Sequence, residues 1–291
     1  MTSFQLRGAV PAFIALMLAG SLAACGAAPE PEARAPKKPA AEQAAEAKAK
    51  QTEEAPAAEP VPEAPGAESP APIDPDQAAP AAPDLVSPGF DRALHSIDDP
   101  MSIWVVGNKL RPLTPENFEP TDLVPTQGVA NDNGQPLREA TARAVEQFIA
   151  GASEAGHDVR IISAYRNYDL QVQLYNGYIV RDGQAAADTY SARPGHSEHQ
   201  TGLTVDLDDY GTCYLAACFG ETPAGQWLAA NAADYGFIVR YPSGKEPVTG
   251  FTPEPWHFRY VGTELAGEMR ATGVSTLEEF FGLPVAPGYA E

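Results

Sequence analysis

Two short stretches gather the residue types that can hold a metal ion and put it to work. The first runs Pro194-Gly195-His196-Ser197-Glu198-His199-Gln200-Thr201-Gly202-Leu203-Thr204-Val205-Asp206, and the second Pro253-Glu254-Pro255-Trp256-His257-Phe258-Arg259-Tyr260. A catalytic zinc site takes three protein ligands, typically imidazole and carboxylate, and keeps a fourth position for water. His199, Asp206 and His257 offer two nitrogens and one oxygen in that sense. His199 and Asp206 are seven residues apart, which would put them on opposite faces of one unbroken strand. Gly202 supplies a break, so that His199 sits on a loop and Asp206 on the polar face of the strand that follows. The metal's water also needs a base. Glu254, three residues before His257 on the turn entering the next strand, is placed to take its proton and deliver it to a leaving amine. A lone histidine is more often structural than a ligand, and His95, His157 and His196 are read in that way.

The elements that must position these side chains follow from periodicity. Leu203, Val205 and Leu207 alternate with Thr204 and Asp206, which describes a strand with the aspartate on its polar face. Trp256–Val261 is another strand, with His257 on the face opposite Trp256 and Phe258. Val159–Tyr165 and Phe237–Tyr241 also read as strands, as does the short run Ser102–Val106. Leu137, Thr141, Ala144, Val145, Phe148, Ile149 and Ala152 recur at helical spacing and predict a helix over 137–155, ended by Gly156. A second helix runs from Tyr168 to Arg181, stopped by Asp182-Gly183. A third starts at the Thr222-Pro223 cap and runs to Tyr235, with Gly236 closing it and two short helices finishing the chain. Helices mixed with mostly antiparallel strands, without a βαβ rhythm, indicate an α+β domain.

The pattern Ser197-x-His199-x-x-Gly202-x-Thr204-x-Asp206, with Glu254-Pro255-Trp256-His257 downstream, resembles the D-alanyl-D-alanine carboxypeptidases of the vancomycin-resistance VanY type. The likeness covers about residues 100–265. It implies a zinc peptidase with the Hedgehog/DD-peptidase fold, a mostly antiparallel sheet flanked by helices. It also implies Zn2+ on His199, Asp206 and His257, with Glu254 as general base. By the same resemblance Arg166 binds the substrate's terminal carboxylate, a role that suits a guanidinium fork, and Ser197 and Gln171 line the pocket. The implied reaction removes C-terminal D-alanine from peptidoglycan stem peptides. The same residues would serve an L,D-carboxypeptidase, a D,D-dipeptidase or an endopeptidase, and the fold also allows a non-catalytic zinc-containing wall-binding module. Glu254 favours an enzyme. Where the family pattern has Ala, this chain has Thr204, on the same face as Asp206, so its hydroxyl is expected to touch a ligand or narrow the pocket.

The chain has 291 residues, 44% of them apolar, and a formal charge of −20. No basic stripe could neutralise phosphates, which argues against nucleic acid, and a monomer is expected. Residues 1–25 hold Arg7 and then an uncharged run from Gly8 to Ala24, the layout of a secretory signal and short for a membrane span. Leu22-Ala23-Ala24-Cys25-Gly26 resembles the bacterial lipobox, in which the cysteine becomes the lipidated mature N-terminus. That implies a membrane-anchored lipoprotein outside the cytoplasm. Residues 26–88 are Ala, Pro and Glu with scattered Lys, too poor in apolar bulk to offset the entropy of ordering, and read as a disordered tether. About 60 residues of coil reach on the order of 40 Å. The folded domain is then 89–291. In that compartment a disulfide between Cys213 and Cys218 is favoured over free thiols. No CxxC pair supports a zinc ribbon.

Overall fold

The computed structural model describes residues 86–290. The expected leader with Cys25, and the expected tether up to residue 85, lie outside those residues. A two-stranded ribbon, β1 (Leu123–Val124) and β2 (Leu137–Arg138), leads directly into α1 (Glu139–Glu154). The helix starts two residues later than its apolar spacing predicts because Leu137 and Arg138 pair with β1 instead. β3 (Arg160–Ser163) follows, then α2 (Tyr168–Asp182), whose first turn is capped by the Asn167 side chain accepting from the Leu170 N–H. After a single turn, α3 (Gln184–Ala187), the chain reaches a 3-10 turn at Glu198–Thr201 and β4 (Thr204–Asp208). α4 (Pro223–Asn231) begins at the predicted Thr222 cap, but its expected last residues, 232–235, tighten into a 3-10 turn before Gly236. β5 (Phe237–Val239), α5 (Glu246–Thr249), β6 (His257–Tyr260), α6 (Gly262–Thr272) and α7 (Leu277–Phe281) complete the order.

The four main strands form one sheet, β3-β4-β6-β5, antiparallel throughout. One face of the central pair carries Val205, Leu207 and Phe258 and packs with Val145, Phe148 and Ile149 of α1. The register sets Thr204 opposite Arg259 and Asp206 opposite His257, so these four share the other face. That face is covered as well: all five residues of β4 are buried. A second apolar cluster joins Trp104, Val106, Val261, Leu265, Met269, Leu277 and Phe280.

Ser102–Val106 is not a strand. Trp104, Val105 and Val106 are buried and Ile103 partly so, but the backbone groups are satisfied locally, Val105 N–H on Ser102 O and Val106 N–H on Ile97 O. The carbonyls of Ile103 and Val105 accept from the Arg259 guanidinium rather than from a neighbouring strand. The domain also begins slightly ahead of Gly89. Val86 packs on the second cluster, and the Ser87 N–H donates to Glu268 Oε1 at 2.5 Å.

Candidate active site

The sheet register does most of the positioning. Asp206 and His257 are cross-strand partners on the central strands β4 and β6, and their side chains project from the same face. His199 arrives from the 3-10 turn that ends at Gly202, whose φ of +66° closes the turn in the left-handed region. A Cβ at Gly202 would lie 3.0 Å from both the Arg138 and Leu123 side chains, so glycine is needed there for space as well as for conformation. The break read from the sequence is therefore a turn that folds His199 back over β4.

One ligand atom from each of His199, Asp206 and His257 falls within 4.8 Å of the others. His199 Nε2 is 3.3 Å from Asp206 Oδ2, and His257 Nδ1 is 3.2 Å from Asp206 Oδ1. All three residues are buried. The His199 Nδ1 lies 2.7 Å from the carbonyl of Ala164, which can only accept, so Nδ1 carries the proton and Nε2 turns its lone pair inward. Burial pushes the His199 imidazole below its usual value, against the pull of Asp206 and aided by the Arg166 charge. Burial would raise the Asp206 carboxyl, but the two imidazoles overturn this and hold it well below the usual carboxylate range. A neutral ring and an ionised carboxylate are the forms a metal binds. Asp206 Oδ1 is buried without a hydrogen-bond partner, an orphaned acceptor that a cation would satisfy. Two nitrogens and one oxygen fit zinc.

Glu254 comes to the same point. Its Oε2 is 3.4 Å from His257 Nδ1, and its N–H donates to the Tyr241 carbonyl, which fixes the turn into β6. Arg166, between β3 and α2, donates its backbone N–H to His199 O and lines the same cleft. Its Nε is buried with no hydrogen-bond partner, and among the described residues no carboxylate pairs with it. Ser197 also lines the cleft, one residue before the His199 turn. Gln171 does not. It sits behind the wall, where its Nε2 donates to Ala192 O at 2.5 Å and holds α2 to a segment that does line the cleft.

Thr204 departs from expectation too. It is fully buried, faces Arg259 across the sheet, makes no side-chain hydrogen bond and is not part of the cleft wall. Being two residues from Asp206 on the same face puts it one step deeper under the sheet's cover, away from the cluster. Cys213 and Cys218 form a disulfide with Cα atoms 5.5 Å apart. The loop they close carries Tyr214 and Leu215, cleft residues that the sequence did not single out, along with Tyr241 and Phe251. His196 bonds the Asn108 carbonyl and packs on Tyr289, His95 packs on Trp104 and His157 on Trp227, all away from the cluster.

The family model described as VanY, D-alanyl-D-alanine carboxypeptidase, matches residues 134–263. The chain is 37% identical over 193 residues to the putative carboxypeptidase YodJ of Bacillus subtilis (strain 168), covering 65% of this chain and 70% of that one. Among solved structures, it resembles the LdcB LD-carboxypeptidase with a TM-score of 0.59 and 36% identity, over 63% of this chain and 88% of the other. It also resembles a vancomycin-resistance D,D-pentapeptidase VanY solved in complex with Zn(II), with a TM-score of 0.52 and 29% identity over 60% and 97% of the two chains.

Proposed function

We propose, for a chain that belongs to the VanY family of D-alanyl-D-alanine carboxypeptidases, that His199, Asp206 and His257 bind zinc and that Glu254 is the general base of a carboxypeptidase reaction. The protein is a zinc-dependent carboxypeptidase of peptidoglycan peptides. The observation that carries the residue roles is the convergence of three buried ligand atoms within 4.8 Å of one another, with Glu254 Oε2 3.4 Å from His257 and an unpaired guanidinium in the same cleft.

When bound, zinc supplies a Lewis acid that polarises the scissile carbonyl and acidifies a water. Arg166 receives the terminal carboxylate of the stem peptide in its planar fork, which sets the last peptide bond in register with the ligand cluster. Glu254 takes a proton from the water as its oxygen attacks the carbonyl carbon. It returns that proton to the amine nitrogen as the C–N bond breaks, releasing D-alanine. Burial of the carboxylate and the ligands keeps bulk water away from the transfer.

The test is hydrolysis of peptides ending in D-Ala-D-Ala and of peptides whose last D-Ala follows an L-centre, with and without a chelator. Chelator-sensitive release of D-alanine supports the assignment, and no release despite bound zinc would overturn it. A preference for the L,D peptide is the second reading. It is favoured by the likeness to the LdcB LD-carboxypeptidase, where TM-score and identity both exceed those for the D,D-pentapeptidase.

Its substrate lies outside the cytoplasmic membrane, and so does the working enzyme. The Cys213–Cys218 disulfide suits that compartment. Beyond this, lipid on Cys25 would anchor the chain, with residues 26–85 as the reach between membrane and wall. Replacing Cys25→Ser should move the protein from the membrane fraction to the soluble fraction, and persistence in the membrane would rule the lipid anchor out.

A further inference from the structure

Between Ser197 and His199 stands a carboxylate for which the reaction above has no use. Glu198 is almost completely buried, and its two oxygens are treated differently. Oε1 accepts from Arg240 Nε at 2.9 Å and from Arg259 Nη1 at 2.8 Å. Oε2 has no hydrogen-bond partner at all. It lies 4.0 Å from Nε2 of His257, and that nitrogen is also buried without a hydrogen-bond partner. Two orphaned polar atoms, one of them an acceptor, face each other inside the protein, where such groups are costly to leave unpaired.

We propose that Glu198 is a positioning residue for His257: Oε2 accepts the Nε2–H, which fixes the ring tautomer and leaves the Nδ1 lone pair turned toward Asp206 and Glu254. The inference rests on His257 being a metal ligand, as proposed above. Metal-bound imidazoles usually donate their second N–H to a carboxylate or carbonyl, which orients the ring and raises its basicity. His199 already has such a partner in Ala164 O at 2.7 Å, a neutral acceptor. His257 has none unless it is Glu198. The gap must close by about 1 Å to reach N–H···O range.

A carboxylate present only to neutralise arginines would spread both oxygens over them. Here one oxygen takes both guanidiniums, and each guanidinium is pinned elsewhere. Arg240 is held by Glu278 at 2.7 and 2.9 Å, and Arg259 by the carbonyls of Ile103 and Val105 at 3.0 and 2.7 Å. The frame aims Oε2 at the ring. The rings of Tyr241 and His199 also pack on His257, with centroids 4.9 and 5.0 Å away, and leave the Nε2 edge facing Glu198.

The deciding experiment uses the zinc-loaded protein. Long-range 15N–1H correlation of its imidazoles should show His257 protonated on Nε2 and metal-bound through Nδ1, with His199 in the opposite sense. Nε2-bound or Nε2-deprotonated His257 would overturn the proposal. Glu198→Gln supplies the second arm. Because both guanidiniums demand the side-chain oxygen, the amide nitrogen must face Nε2, donor against donor. Zinc affinity by chelator competition should then fall roughly tenfold to a hundredfold. Glu278→Gln loosens the frame but leaves the Glu198 carboxylate facing the ring, so it should cost clearly less zinc affinity than Glu198→Gln, and equal losses in the two variants would reduce Glu198 to a counter-ion. If Glu198→Gln does not fold, the wild-type tautomer still decides. Failure of the wild-type protein to bind one zinc would instead defeat the ligand assignment on which this rests.

Discussion

Glu278 offers the sharpest test of what buries and stabilises this site. It lies on α7, is fully buried, and binds Arg240 through both oxygens while accepting from Asn108 Nδ2 at 3.0 Å. Burial would drive the Arg240 proton off, but Glu198 and Glu278 hold it on, well above the usual value. With Arg259, these residues form a neutral set of two carboxylates and two guanidiniums. Glu278→Gln keeps the shape and one acceptor and removes the charge, leaving the set with an uncompensated cation. Breaking one partner out of a buried pair costs about 3–5 kcal/mol, and the retained carbonyl places this variant near the low end. For a domain of this size that corresponds to a fall in Tm of roughly 6–12 °C. The control is Arg270–Asp234, an ion pair of the same 2.7 Å length whose side chains are 52% and 54% exposed. Water already solvates that pair, so Asp234→Asn should leave Tm unchanged. The measurement is thermal and urea unfolding of zinc-loaded proteins at one pH. If Glu278→Gln cost no more than Asp234→Asn, burial would not be what gives the network its strength, and the reasoning would fail.

Glu254→Gln should lower kcat by about 10²–10⁴ while the protein keeps one zinc per chain, and unchanged turnover would remove Glu254 from the mechanism. The metal-free protein should lose stability as pH falls from 7 to 5. His199 is held below its ordinary 6.5 in the fold, so the unfolded chain takes up the proton first and the folded state is penalised from about that pH downward. His196, also lowered by burial, adds in the same direction, and the depressed Asp206 adds a further loss only below its ordinary 3.8. A urea midpoint that stayed flat or rose over that range would contradict these shifts. Thr204→Val should raise stability by about 1 kcal/mol with kcat/KM unchanged, because it removes a buried hydroxyl that has no partner at nearly constant volume. A loss of activity would mean that the hydroxyl does serve the site.

Much of the cluster was legible because metal chemistry restricts residue types. Few side chains bind zinc, so His199, Asp206 and His257 stand out from their neighbours, and Gly202 marks where the chain must turn between the first two. The strands carrying Asp206 and His257 were equally readable, since alternation on β4 and β6 is a local property. Ser102–Val106 was misread for a physical reason: apolar, β-branched composition reports burial, and burial does not reveal where the backbone hydrogen bonds go. The depth at which Gln171 and Thr204 sit was not legible for a related reason. Which face of an element a residue occupies follows from spacing, but the depth of the cleft along that face is set by distant segments.

The buried ion network was harder to see, and the reason is instructive. Arg240, Glu278 and Arg259 each look like ordinary surface charges, because charged side chains are almost never fully buried unless paired and no local signal reports pairing across tens of residues. Yet one clue was present. Arg259 follows His257 by two residues on the same strand and therefore shares its face, and Glu198 adjoins His199. Once β4 and β6 are the two central strands of the sheet, with both faces covered, any charge next to a ligand on the inner polar face has no route to solvent. It must find an opposite charge. Arg259 meets Glu198, Glu198 meets Arg240, and Arg240 needs one more carboxylate to close the set at neutrality, which the C-terminal helix supplies as Glu278. Placing the proposed ligand His257 on a central strand thus calls for a neutral ion network behind it, and in this chain that requirement ties the helix carrying Glu278 to the stability of the cleft face.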